Sequence, residues 1–132
     1  MATTEVELVT PTRTLFSGEA ETVFCRAEGG EIAFLANHMP YLGVLEPGPV
    51  RIASENGNEV RLAVHGGFVE VRDNRVIMLA DVAEPADEID VERARRTKTN
   101  AEGQLSSGSA DDANVALALR RAEVRLEVAG AA

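Results

Sequence analysis

Up to about Ala83 the apolar residues come in short runs, several alternating with polar ones, and beyond Pro85 they recur at the three- and four-residue spacing of a helix face. The first pattern predicts strands, the second helices. Residues 3–9 alternate, with Val6 and Leu8 on one face, and Pro11 ends the run. Thr14-Leu15-Phe16 follows, Ser17-Gly18 reads as a turn, and residues 21–27, rich in β-branched and aromatic types, lead into Gly29-Gly30. Residues 32–35 form a short buried strand. Pro40 cannot donate to a ladder and forces His38-Met39 out of helical geometry, so a shaped polar loop leaves that strand. After residues 41–45 and the breaker Glu46-Pro-Gly-Pro49, residues 50–54 and 59–64 flank Asn56-Gly57, a hairpin turn whose two central positions need positive φ. Gly66-Gly67 bends into residues 68–71, and Asp73-Asn74 turns into residues 75–80. About ten closely spaced strands predict an antiparallel β-sandwich over residues 1–84.

Residues 85–132 form a second unit, a two-helix hairpin. Asp87 or Asp90 caps a helix to about Leu105, with acids early and Arg93, Arg95, Arg96 and Lys98 after them, as the helix dipole favours. Ser106-Ser-Gly-Ser109 is a flexible connector. Asp111 or Asp112 caps a second helix over residues 115–128, which Gly130 ends. Val115, Ala118, Leu119, Ala122, Leu126 and Ala129 make a stripe on it that needs a partner surface; the first helix offers only Ala94, Thr97, Ala101 and Leu105 on a comparable face. Small side chains bury little area, so the hairpin is expected to dock weakly and to move.

Composition removes several function classes. The chain has 132 residues, 13 basic and 22 acidic side chains and a formal charge of -9, so no basic excess exists to displace counterions from a nucleic acid. Cys25 is the single cysteine, which leaves no internal disulfide, and it reads as a small buried hydrophobe in a reducing compartment. The first residues lack the basic start and apolar run of a signal peptide, and no stretch is long and apolar enough to cross a bilayer. His38, His65, Glu31 and Glu70 lack metal-ligand spacing, and no nucleophile arrangement or phosphate-cradling loop stands out. A non-enzymatic interaction module with a movable appendage is the reading from the residues. Its alternative form is a free-standing β-sandwich binding module whose helical tail docks a protein.

Five stretches carry a resemblance: Gly30-Glu-Ile-Ala-Phe-Leu-Ala-Asn-His-Met-Pro40, Pro47-Gly-Pro-Val-Arg-Ile52, Gly66-Gly-Phe-Val-Glu-Val71, Val76-Ile-Met-Leu-Ala-Asp81 and Ile89-Asp-Val-Glu-Arg-Ala94. In this order the chain resembles the epsilon subunit of rotary F-type ATP synthases. Ala33, Ala36 and Asn37 stand where that family usually has Gly, Pro and Gly, and Asn100 where ATP-binding members often carry Arg. The resemblance implies a non-catalytic central-stalk subunit whose sandwich binds the gamma subunit and the rotor c-ring. Its hairpin would reach toward the alpha/beta catalytic hexamer and restrain ATP hydrolysis, and membrane contact, on the cytoplasmic face of a bacterial cell membrane, would come only through the complex. No cofactor is required, and ATP is the implied regulatory ligand.

Two sets of residues follow. Glu31 and His38 match the family's rotor-facing positions, where an acid and an imidazole on a loop tip would meet polar rotor loops. Glu84, Ile89, Asp90, Arg93, Ala94, Arg121 and Arg125 are the implied nucleotide set. Arg121 and Arg125, four apart, share a helix face and would converge with Arg93 on a triphosphate, with Asp90 and Glu84 accepting from an adenine amino group.

Overall fold

A computed structural model describes residues 2–109 and 112–131, and in it ten strands precede two helices. The strands are β1 (Thr4–Val9), β2 (Thr14–Ala20), β3 (Thr22–Ala27), β4 (Gly30–Leu35), β5 (Tyr41–Leu45), β6 (Gly48–Ala53), β7 (Glu59–Val64), β8 (Gly67–Arg72), β9 (Arg75–Ala80) and β10 (Ala83–Pro85). One layer runs β4-β3-β6-β7-β10, the other β5-β8-β9-β1-β2. They join at a corner, where Ala27 on β3 pairs with Leu45 on β5, Glu28 donates its N–H to Val44 O at 3.2 Å and Glu46 to Arg26 O at 3.0 Å. Pairing is antiparallel except between β1 and β9, which run parallel from Glu5 opposite Arg75 to Val9 opposite Leu79. That pair departs from the all-antiparallel expectation because the chain's first strand enters the sheet beside its ninth, a long-range register that no turn announces.

Turn residues sit where their backbone angles are needed. Gly57 takes φ 83 in the β6–β7 hairpin, and Asp73 and Asn74 take 52 and 57 between β8 and β9. Ser17-Gly18 is not a turn, because β2 passes through it with Ser17 opposite Glu7 and Gly18 opposite Val6. A side chain at Gly67 would sit 2.1 Å from the Leu79 carbonyl oxygen, at a φ of 122, so β8 can approach β9 there only as glycine. The alternating inward residues fill the interior: Val6, Leu8, Val23, Phe34, Ile52, Leu62, Val69, Val76 and Met78 are buried. Cys25 joins them, and burial pushes its thiol up to about 12, which leaves it inert.

The helices are α1 (Val91–Gln104), reached through a 3-10 turn (Ala86–Glu88), and α2 (Ala113–Ala129). Asp90, not Asp87, caps α1 by accepting from Arg93 N at 3.1 Å. Asp112 caps α2 through Asn114 N and Val115 N, and Gly130 closes it at φ 77, a left-handed C-cap; Asp111 lies outside the described residues. Ala94 and Ala101 of α1 and Ala122 and Leu126 of α2 are buried. Toward the sandwich, the contact is made by Val124 and Val128, which close over Ala63 with Ala86 and Ile89 beside them, rather than by the predicted stripe alone. β7 is therefore buried on both faces, Leu62 and Val64 inward and Ala63 beneath α2. The outer face of the other layer carries no helix and exposes Leu42, Val44, Phe68 and Leu79.

Candidate functional site

The seam between hairpin and sandwich is small in apolar area and rich in charge. Beside Val124 and Val128, a cleft of about 380 Å³ opens between β10, the start of α1 and the middle of α2. That volume lies within the range of small-molecule sites. Glu84, Asp90, Arg93, Ala94, Arg121 and Arg125 line it, with Glu88, Thr97 and Ala118. Six of the seven residues of the expected nucleotide set thus share one cleft; Ile89 packs instead with the apolar seam.

Each side chain arrives there for a local reason. Glu84 lies on β10, opposite Ala63 on β7, and alternates with inward-facing Ala83 so that its carboxylate meets the hairpin. Arg121 and Arg125, one helical turn apart on α2, face the same way. Arg125 Nε donates to Glu84 Oε1 at 2.5 Å, and His65 Nε2 approaches the same oxygen at 3.3 Å. Hydrogen bonding from His65 first, and the bond and charge of Arg125 after it, hold the Glu84 carboxyl at about 2 against the opposing effect of burial. Asp90 caps α1, and Glu88 pairs with Arg13 from the β1–β2 turn at 2.7 Å. Among the described residues Arg93 and Arg121 enter no ion pair, and Arg121 Nε is buried without a partner. The cleft therefore offers two guanidinium groups uncommitted to any carboxylate, which is chemistry suited to a phosphate-bearing ligand.

His65 is the residue that spacing alone undervalued. Its spacing suits no metal site and by itself gives the residue no other role. It is instead 1% exposed, beneath the cleft and against its acid. A buried polar residue directly following the two-faced strand β7 was the available signal.

Glu31 and His38 do not share a tip. Glu31 is the second residue of β4, exposed and 3.7 Å from Arg26, while His38 lies three residues past the other end of β4. At roughly 3.3 Å per residue the intervening strand separates them by more than 10 Å. His38 sits edge-on to Phe34, ring centroids 4.9 Å apart, and its Nδ1 lies 2.7 Å from Met39 O. Asn37 supplies what glycine would, a φ of 61, and donates its N–H to Asn74 Oδ1 at 2.8 Å. Leu35 and Met39, 56% and 72% exposed, flank the imidazole, so this end of the sandwich is an apolar-rimmed loop.

Two family models cover the chain: ATP synthase delta/epsilon chain, beta-sandwich domain, over residues 3–86, and the long alpha-helix domain of the same chain over residues 87–130. The ATP synthase epsilon chain of Streptomyces griseus is 48% identical over 121 residues, 92% of this chain and 90% of the relative. That of Shouchella clausii is 42% identical over 129 residues, covering 98% and 96%. Among solved structures, a chain of the Euglena gracilis mitochondrial ATP synthase, OSCP/F1/c-ring, superposes with a TM-score of 0.76 at 24% identity, covering 99% of this chain and 79% of that one. That last likeness is one of fold.

Proposed function

The chain belongs to the ATP synthase delta/epsilon-chain family, a non-catalytic subunit of that complex, and from this premise we propose how its two units work. The sandwich is the docking unit of a central stalk. Its helix-free outer face, where Leu42, Val44, Phe68 and Leu79 are exposed, binds the gamma subunit, since a contiguous apolar face of that kind is costly in water unless a partner covers it. The Leu35–His38–Met39 loop meets the rotor c-ring. Attachment to the cytoplasmic face of the membrane comes through those partners; among the described residues no helix is long and apolar enough to cross it.

The hairpin is the regulatory unit. Folded against β6 and β7 it leaves the catalytic alpha/beta hexamer free, and released it extends toward the hexamer and restrains hydrolysis. ATP bound in the cleft favours the folded form, because a ligand that contacts β10, α1 and α2 together stabilises only the state in which they meet. The observation that carries this reading is the pair of uncommitted arginines, Arg93 and Arg121, beside the Glu84–Arg125 pair in one cleft. Calorimetric titration of the full chain with ATP tests it; no heat at millimolar nucleotide removes the ligand. Hydrolysis by the assembled complex with the chain truncated after Asp87 tests the restraint, which should be lost. Failure to copurify with gamma would remove the stalk role.

A further inference from the structure

We propose that His65 is a positioning residue for the cleft: it keeps the Glu84 carboxylate facing the ligand once Arg125 has turned to phosphate, and so sets a preference for a purine bearing a 6-amino group over one bearing a 6-carbonyl. The inference rests on the nucleotide reading of the cleft and adds a residue and a selectivity to it.

Geometry supplies the argument. Arg125 and His65 both address one oxygen of Glu84, Oε1, at 2.5 and 3.3 Å, but from different bodies. Arg125 belongs to α2 and lines the cleft, so an arriving polyphosphate competes for it. His65 belongs to the sandwich, where its backbone N–H donates to Val82 O at 2.9 Å and its side chain is fully buried. It does not travel with the hairpin. His65 Nδ1 is buried without a partner, an arrangement satisfied best when Nε2 carries the proton and donates to the carboxylate while Nδ1 holds only a lone pair. A carboxylate released by Arg125 would otherwise swing after it toward the phosphates' counter-charges. Held by His65, it stays at the cleft wall as a fixed acceptor. Such an acceptor takes a hydrogen bond from the amino group of adenine and repels the carbonyl that guanine presents at the same ring position.

The test is titration of the full-length wild type, His65→Leu and His65→Gln with ATP and with GTP, each variant checked for an unchanged thermal transition of the sandwich. Glutamine places an amide donor near the imidazole Nε2 position. Wild type and His65→Gln should prefer ATP, and His65→Leu should lose about three- to tenfold of that preference, the worth of one hydrogen bond. Equal binding of both nucleotides by wild type, or an undiminished preference in His65→Leu, overturns the proposal and leaves the cleft reading standing. No nucleotide binding by wild type removes the cleft reading and this proposal together. Should His65→Leu fail to fold, nitrogen NMR of wild type decides, His65 being distinguished from His38 by His38→Gln. A protonated, hydrogen-bonded Nε2 that persists with ATP bound supports the role, and its loss on ATP addition overturns it.

Discussion

Glu84 is ionised far below the ordinary carboxylate range because His65 and Arg125 both favour its charged form, and this ties the seam to pH. The folded-state pKa, about 2, lies under the ordinary 4.5, so the charged form is the one folding prefers. Stability from the seam is then present in full above about 4.5 and is lost as pH falls toward 2. Urea unfolding of wild type and Glu84→Gln should show a gap at neutral pH that closes across that window, because glutamine has no proton to gain. A gap independent of pH would mean that shape rather than charge explains the loss. Arg13–Glu88 crosses the same boundary but is about half exposed at both ends, and its removal should matter little.

At the scale of elements, the hairpin is held by few apolar side chains. Val128→Ala removes two methyl groups worth about 0.8 kcal/mol each from the contact over Ala63. Hydrogen exchange should quicken through α1 and α2 while β7 and β9 keep their protection. Gly103 sits in α1 with open space where a side chain would go, so Gly103→Ala should stabilise the helix by about 0.5–1 kcal/mol, read as a higher hairpin transition. The strands were legible because their ends are written in local chemistry: Gly57, Asp73-Asn74 and Gly66-Gly67 take positive φ, although Asn56 does not, so the β6–β7 turn needs it at one central position and not at two. Ser17-Gly18 misled because a serine-glycine step is compatible with either a turn or a strand, and only its cross-strand partners decide. The α2 seam was half legible. Spacing found the stripe but not what covers it, and Val124 and Val128 acquire meaning only from Ala63, which is distant in sequence.

For the whole molecule, the two outer faces of the sandwich differ: one is closed by α2, the other stays open around Phe68. Phe68→Glu should leave the isolated chain's melting unchanged, since the side chain is 55% exposed, yet weaken gamma association at least tenfold in a binding titration. The cleft shows how far sequence carries at this scale. Its arginines and acids were nameable from helix spacing and family motif, but that Glu84 is already occupied by Arg125 and braced by His65 depends on β7 and β10 lying side by side beneath α2. The separation of Glu31 from His38 is a similar case, since one short strand between them is enough to send them to opposite ends.

The parallel β1–β9 pair also orders the protein's birth on the ribosome. β1 emerges first but gains its inner neighbour only when Arg75 to Leu79 have been made, so the second layer cannot close until β9 is available. β6 and β7, joined by a short hairpin, can pair well before then. α2, synthesised after all ten strands, therefore meets a landing surface already built, and a segment added to a finished body can also detach without undoing it.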